Sequence, residues 1–244
     1  TLIKMIVGEL YPDDGRIRLG PQVRMAYLPQ IIHFDHPDWN LVENMMAAKK
    51  GLSAQSARNR LAAYDFRGED VLKPVSVLSG GEQSRLRLCM LMDDEINFLI
   101  LDEPTAGLDP EERVRFRNLL SEIAEDKIVI LSTHIVGDIE ATCEDIAIIN
   151  EGRVIYNGTV DELLQAAEGR VFTMTASKRE LPELKRQLTI TSMHTQGNKV
   201  HIRFIADTLM QGAKACEPNI EDAYMLYLHS SGVREILGEI GGEW

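Results

Sequence analysis

The sequence has no apolar run approaching the roughly 18 residues that a helical membrane span requires, so a membrane-spanning helix is not expected. It has only three cysteines, Cys89, Cys143 and Cys216, with no C-x-x-C pair. That spacing excludes a disulfide framework and a cysteine metal knuckle, and fits reduced thiols in a cytosolic protein. Basic charge is in short supply: 26 Lys and Arg face 38 Asp and Glu, for a net charge of −12. The acidic excess lies after residue 90, which argues against broad electrostatic binding to nucleic acid or anionic lipid. No Gly-Lys-Ser or Gly-Lys-Thr occurs. The phosphate cradle G-x-x-x-x-G-K-[ST] is therefore not encoded within these 244 residues. The remaining composition, 44% hydrophobic and 26% charged, is that of an ordinary globular chain long enough for a full core and a small extra domain.

Leu78-Ser79-Gly80-Gly81-Glu82 stands twenty residues before Phe98-Leu99-Ile100-Leu101-Asp102-Glu103. The first group precedes a helical pattern from Glu82 to about Met92, with Leu86, Cys89 and Met90 at helical spacing. Glycines let a backbone approach a ligand closely. N–H groups at a helix start favour an anion. The second group is four apolar residues and then two acids. A continuous apolar run suits a strand buried on both faces of a parallel sheet. Acids at its C-terminal end lie where open α/β sheets bind ligands. Lys127 to Thr133 reads as another buried strand, ending at His134.

These residues, with Pro104-Thr105-Ala106-Gly107-Leu108-Asp109-Pro110 and Tyr27-Leu28-Pro29-Gln30, resemble the ATP-binding cassette (ABC) ATPases. The resemblance implies a P-loop NTPase α/β core with a helical subdomain, ATP and Mg²⁺ as ligands, and a second ATPase protomer, homo- or heterodimeric. Within that pattern 78–82 is the signature, 98–103 the Walker B strand, 104–110 the D-loop, Gln30 the Q-loop and His134 the H-loop. It assigns Asp102 and Gln30 to Mg²⁺ and Glu103 to the attacking water, with His134 on the γ-phosphate. Ser79, Gly80, Gly81 and Glu82 would act on the partner's nucleotide, and Asp109 would reach across the dimer. Thr1-Leu2-Ile3-Lys4 resembles the helix following the family's phosphate loop, which puts Thr1 in the nucleotide site and the lost loop upstream.

Two branches of the family share the text. Residues 1–105 are most like the ABC-F group, soluble ATPases acting on the ribosome, through Leu19-Gly20-Pro21-Gln22-Val23-Arg24 and Phe66-Arg67-Gly68-Glu69-Asp70. Residues 106–244 are most like exporter ATP-binding subunits, through Ala106-Gly107-Leu108-Asp109 and Ser132 to Glu140. The exporter reading implies transmembrane transporter subunits as partners and a cytoplasmic place on the inner face of the cell membrane. The alternative implies the ribosome, and neither implies DNA.

The expected organisation is an ATPase domain over 1–168, with a helical subdomain at 31–93, and a small α+β extension over 169–244. Strands are expected at Ile17–Leu19, Val23–Leu28, Phe98–Leu101, Ile128–Ser132, Ile146–Asn150 and Arg153–Asn157, then Arg170–Ala176, Leu188–Met193 and Lys199–Ile205. Helices are expected at Asn40–Ala48, Ala54–Tyr64, Glu111–Ala124, Val160–Ala167 (capped by Thr159) and Glu180–Gln187. Glu151-Gly152, Asn157-Gly158 and Gln196-Gly197-Asn198 read as turns. The stretch Glu217 to Leu228 resembles the closing segment of exporter ATPases and equally an amphipathic terminal helix. His33, His36 and nearby acids lie in an expected exposed loop, with no metal expected there.

Overall fold

The structure, a computed structural model, describes residues 2–92 and 95–229. The chain divides into two compact units, Thr1–Ile135 and Val136–Trp244.

The first unit carries a parallel sheet in the order β1 (Met25–Leu28), β2 (Phe98–Asp102), β3 (Ile128–Ser132). Leu28 pairs with Leu101 and Asp102 with Ser132, so all three strands end at one edge. Leu99, Ile100 and Leu101 are fully buried, as a central parallel strand requires. β3 differs from expectation: Ile128 is 66% exposed and Ile130 36%. As the edge strand of the three it has α5 (Pro110–Ala124) against it through the core of Phe116, Leu120, Val129 and Leu131, which leaves its other face uncovered. Ile17–Leu19 is not a strand, and the short α1 (Leu2–Ile6) precedes it.

Between β1 and β2 lies the helical subdomain: α2 (Leu41–Ala48), α3 (Ala54–Ala63), two 3₁₀ turns (Gly68–Leu72 and Val75–Val77) and α4 (Gly80–Leu91). Its own core joins Leu41, Met45, Leu61, Phe66 and Leu86. Reciprocal capping starts α2, because Asn40 Oδ1 accepts from the Glu43 amide and Glu43 Oε2 from the Asn40 amide, both at 2.9 Å. His36 stacks on Trp39 at 3.8 Å, a packing role that accounts for it without a metal.

The second unit opens with α6 (Val136–Thr142) and a hairpin of β4 (Asp145–Asn150) and β5 (Arg153–Thr159). Its turn has φ of +49° at Glu151 and +79° at Gly152, the left-handed pair that favours such a dipeptide. Asn157-Gly158, read as a turn, lies inside β5. A Cβ at Gly158 would meet the ends of the Glu162 and Tyr156 side chains, Oε2 at 2.7 Å and the hydroxyl at 2.8 Å, so a larger residue there would push both aside. Thr159 caps α7 (Val160–Ala167) as expected.

An antiparallel sheet follows, ordered β7 (Thr189–Gln196), β8 (Lys199–Ile205), β6 (Val171–Ser177), β9 (Lys214–Ala215), with α8 (Leu181–Gln187) between β6 and β7 in sequence. One face packs Phe172, Val200, Ile202 and Phe204 with Leu181 and Leu184. On the other, Val171 and Ile205 join Ile148, Leu163 and the helix at 220–229 through Ile220, Ala223 and Leu226. That shared core explains why the division into units falls at 135/136 rather than 168/169: the hairpin and α7 pack with the sheet that follows them.

Asp222 fixes the last helix. It is fully buried and takes hydrogen bonds from Thr191 Oγ1 (2.6 Å), Arg203 Nε (2.8 Å) and the Asn219 amide (2.9 Å), while Asn219 Oδ1 accepts from its amide. Asp222 therefore caps the helix reciprocally with Asn219 and ties it to the sheet.

Candidate functional site

Three loops leave the same sheet edge. Gln30 is exposed two residues past β1, Glu103 directly follows β2, and His134 stands two residues past β3. Parallel pairing makes this convergence unavoidable once the register is set.

Glu103 sits at φ +49°, a left-handed backbone that is uncommon outside glycine. Two backbone bonds hold it there. Its N–H donates to Ser132 O at 2.8 Å, and its carbonyl accepts from the Ala106 amide at 3.1 Å. Thr105, nearly fully buried, and Gly107 at φ +76° complete the turn. Strain of this kind persists where surrounding structure over-determines it, and functional sites are where it concentrates.

The held backbone aims the Glu103 carboxylate at His134. Nδ1 lies 2.8 Å from Glu103 Oε2, with the imidazole 75% exposed and the carboxylate 18%. Oε2 itself is shut off from solvent and the approach is off the hydrogen-bond axis, so the oxygen keeps an unfilled acceptor direction. A buried, underused carboxylate oxygen fits a water placed for attack. Beside it stands Asp102, whose charge, second to burial, raises the pKa of the Tyr27 phenol.

Tyr27 is a site residue that motif reading passes over. The sign of it is the strand alternation, which buries Ala26 and Leu28 and leaves Tyr27 on a face of its own.

The signature occupies a different element. Ser79 caps α4: its Oγ accepts from the Glu82 amide (3.3 Å), and Glu82 Oε2 accepts from the Ser79 amide (2.8 Å). The Ser79 and Glu82 side chains are thus engaged in building the helix start. Ser79 and Gly80 are exposed, and a methyl group on Gly80 would meet no atom within 4 Å. Gly81 is buried, and a Cβ there would fall 2.8 Å from Glu112 Cβ.

Glu112 also answers Arg85 with both carboxylate oxygens (Nε–Oε2 3.1 Å, Nη2–Oε1 3.3 Å), while Arg85 lies over the Phe66 ring at 5.0 Å. In turn the Glu112 amide donates to Asp109 Oδ1 at 2.9 Å, so Asp109 is the N-cap of α5, with Pro110 in the first turn. Glu112 therefore ties the signature helix to the D-loop helix. Neither Arg85 nor Glu112 stands out in the sequence, because a lone pair of charges 27 residues apart carries no local pattern.

The structure brings Asp102, Glu103 and His134 together with Tyr27, and places Ser79, Gly80, Gly81 and Glu82 at the head of α4. Thr1 lies outside the described residues. Among the described residues no group of three or more His, Cys, Asp or Glu side chains could hold a metal. Mg²⁺ commonly takes one or two protein oxygens and fills its shell with water and substrate phosphate. Asp102 and Gln30 are the oxygen donors available for it at this edge. No helix among the described residues is long and apolar enough to cross a membrane.

Residues 1–106 match the family described as ABC transporter. The Nod factor export ATP-binding protein I of Burkholderia orbicola is 34% identical over 185 residues, 69% of this chain and 60% of that protein. The ABC transporter ATP-binding protein YxlF of Bacillus subtilis is 29% identical over 190 residues, 73% of this chain and 64% of that protein. The chain thus spans about 60% of the length of these relatives. A solved chain from an inward-facing ABC transporter of the metal-chelate type has the same fold at TM-score 0.55 and 16% identity, over 84% of this chain and 80% of that one. The α/β sheet, its acids and His134, and these relatives agree: the chain carries the ATPase domain of the ABC transporter family.

Proposed function

We propose that this chain is part of an ATP-hydrolysing subunit of an ABC exporter, peripheral on the cytoplasmic face of a membrane, which closes on a second ATPase protomer and drives transmembrane subunits. The observation that carries the reading is the Glu103–His134 approach at 2.8 Å on a strained, over-determined backbone. Export is supported by the Nod factor relatives, which are named for export. The functional cassette is proposed to run through residue 168, with 169–244 as an extension.

In this mechanism Glu103 Oε2 accepts the proton of water as its oxygen attacks the γ-phosphorus and the bond to the ADP oxygen breaks. His134 keeps the Glu103 carboxylate in place and faces the transferred phosphoryl group. Tyr27, close enough to Asp102 to feel its charge, is proposed to orient that carboxylate. Mg²⁺, when bound, neutralises phosphate charge, with Asp102 and Gln30 as its protein oxygens. The start of α4, open at Gly80, is proposed as a helix-start anion site for the partner's nucleotide.

The test is Mg-ATP hydrolysis by this chain and by the same chain with a G-x-x-x-x-G-K-[ST] segment joined ahead of it. Turnover in the extended protein, lost by about 10²–10⁴-fold in its Glu103→Gln variant with an ATP-bound dimer accumulating, is the expected result. Wild-type turnover in Glu103→Gln removes the assigned role. Co-purification separates export from the ABC-F reading: membrane subunits support the first, ribosomal particles the second.

A further inference from the structure

The sheet β7-β8-β6-β9 stands in the acidic part of the chain, yet none of its strand residues is Asp or Glu. Its polar face instead carries an open pocket of about 440 Å³, a size that suits a small ligand. The walls include Thr173 and Thr175 from β6, Ser192 and His194 from β7, His201 from β8 and Lys214 from β9.

This grouping depends on one irregularity. β7 carries a bulge between Ile190 and Ser192, after which Ser192 pairs with Arg203 and His194 with His201. Without the extra residue Met193 would stand opposite His201. Bulges commonly re-aim side chains in this way. The inserted Thr191 bonds Asp222, which locks the bulge in place.

His201 is also oriented. Its Nδ1 lies 2.9 Å from Thr175 Oγ1. With the Thr175 hydroxyl donating to Nδ1, the Nε2–H is the donor left for the pocket. Lys214 pairs with Thr173 in register, two strands from His201. At a strand spacing of about 4.8 Å, a lysine stem and an imidazole two strands apart reach one tetrahedral anion between them. Arg203 also lines the wall, but its guanidinium is committed to Asp222, whose charge balances it, and to the Glu217 carbonyl.

We infer that this face is a binding site for a small phosphate-bearing molecule, with Lys214 and the His194–His201 pair holding the phosphate and the Thr and Ser hydroxyls completing its contacts. Several separate donors suit three terminal phosphate oxygens better than the two of a carboxylate, and lysine serves as a phosphate-binding point charge. The site lies within the second unit and does not rest on the ATPase reading.

The test is a titration of this chain with inorganic phosphate at constant pH and ionic strength, followed through the histidine ring signals by NMR, with acetate as the parallel titrant. The expected result is saturable, joint movement of His194 and His201, half-complete at roughly millimolar phosphate. The His134 signal is read separately, so binding at the nucleotide edge is distinguished from binding here. Lys214→Ala and His201→Ala, both exposed positions that should fold normally, weaken the effect about tenfold. Shifts of His194 and His201 that fail to saturate, that acetate reproduces, or that survive unchanged in Lys214→Ala overturn the assignment.

Discussion

At Gly81 a single hydrogen decides the packing. A methyl group there would sit 2.8 Å from Glu112 Cβ, whereas at Gly80 nothing lies within 4 Å. Gly81→Ala should therefore cost about 1–3 kcal/mol as an overpacked contact, and Gly80→Ala under about 1 kcal/mol. Thermal denaturation of the two variants side by side measures the difference, and equal melting temperatures would mean α5 yields freely. Arg85 sets a second contrast. Removing its charge by Arg85→Met leaves Glu112 with Arg115 Nη1 (3.0 Å) on one oxygen and its other oxygen buried without a cation, an expected loss of about 1–3 kcal/mol, while the double change Arg85→Met with Glu112→Leu should recover most of it. Burial pushes the Cys89 thiol up to about 12, with Lys49 and Arg60 pulling weakly the other way. Since the thiolate is the reactive form, Cys89 should resist alkylation at about pH 8 in the native chain and react on unfolding.

At the scale of elements, caps and pairing explain what can be read in advance. Asn40, Ser79 and Thr159 each start a helix with Glu three residues on, and each forms the reciprocal box. Asn40→Ala and Thr159→Ala should each cost about 1 kcal/mol, measurable as a lower denaturant midpoint at unchanged slope. The continuous apolar strand of Phe98 to Leu101 and the alternating Lys199 to Ile205 are legible because burial follows their period directly. What stays hidden depends on partners far away in sequence. Ile17–Leu19 has strand composition but no strand beside it. Gly158 looks like a turn residue, yet its missing Cβ makes room for Glu162 and Tyr156. The bulge in β7 shifts one register, and no local preference announces it. Likewise Asp102, Glu103 and His134 can be named from spacing, but the Tyr27 phenol near Asp102 and the Arg85–Glu112 tie come from topology alone.

At the scale of the whole molecule, charge becomes the governing quantity. Each chain carries −12 at pH 7. Two copies brought together by nucleotide repel across their surfaces, and that repulsion reaches about 30 Å at 0.01 M salt but only about 8 Å at 0.15 M. In the proposed dimer the attraction comes from short-range contacts at the nucleotide, which salt screens less than it screens the long-range field. The ATP-trapped dimer of the extended Glu103→Gln protein should therefore grow as ionic strength rises from about 0.02 to 0.3 M. Sedimentation at fixed protein and Mg-ATP concentration reads the dimer fraction. A fraction that falls with salt would mean complementary patches of opposite sign meet at the interface and outweigh the net charge. The same reasoning places minimum solubility near pH 5.0, where the sequence pI lies and the field that separates the chains vanishes.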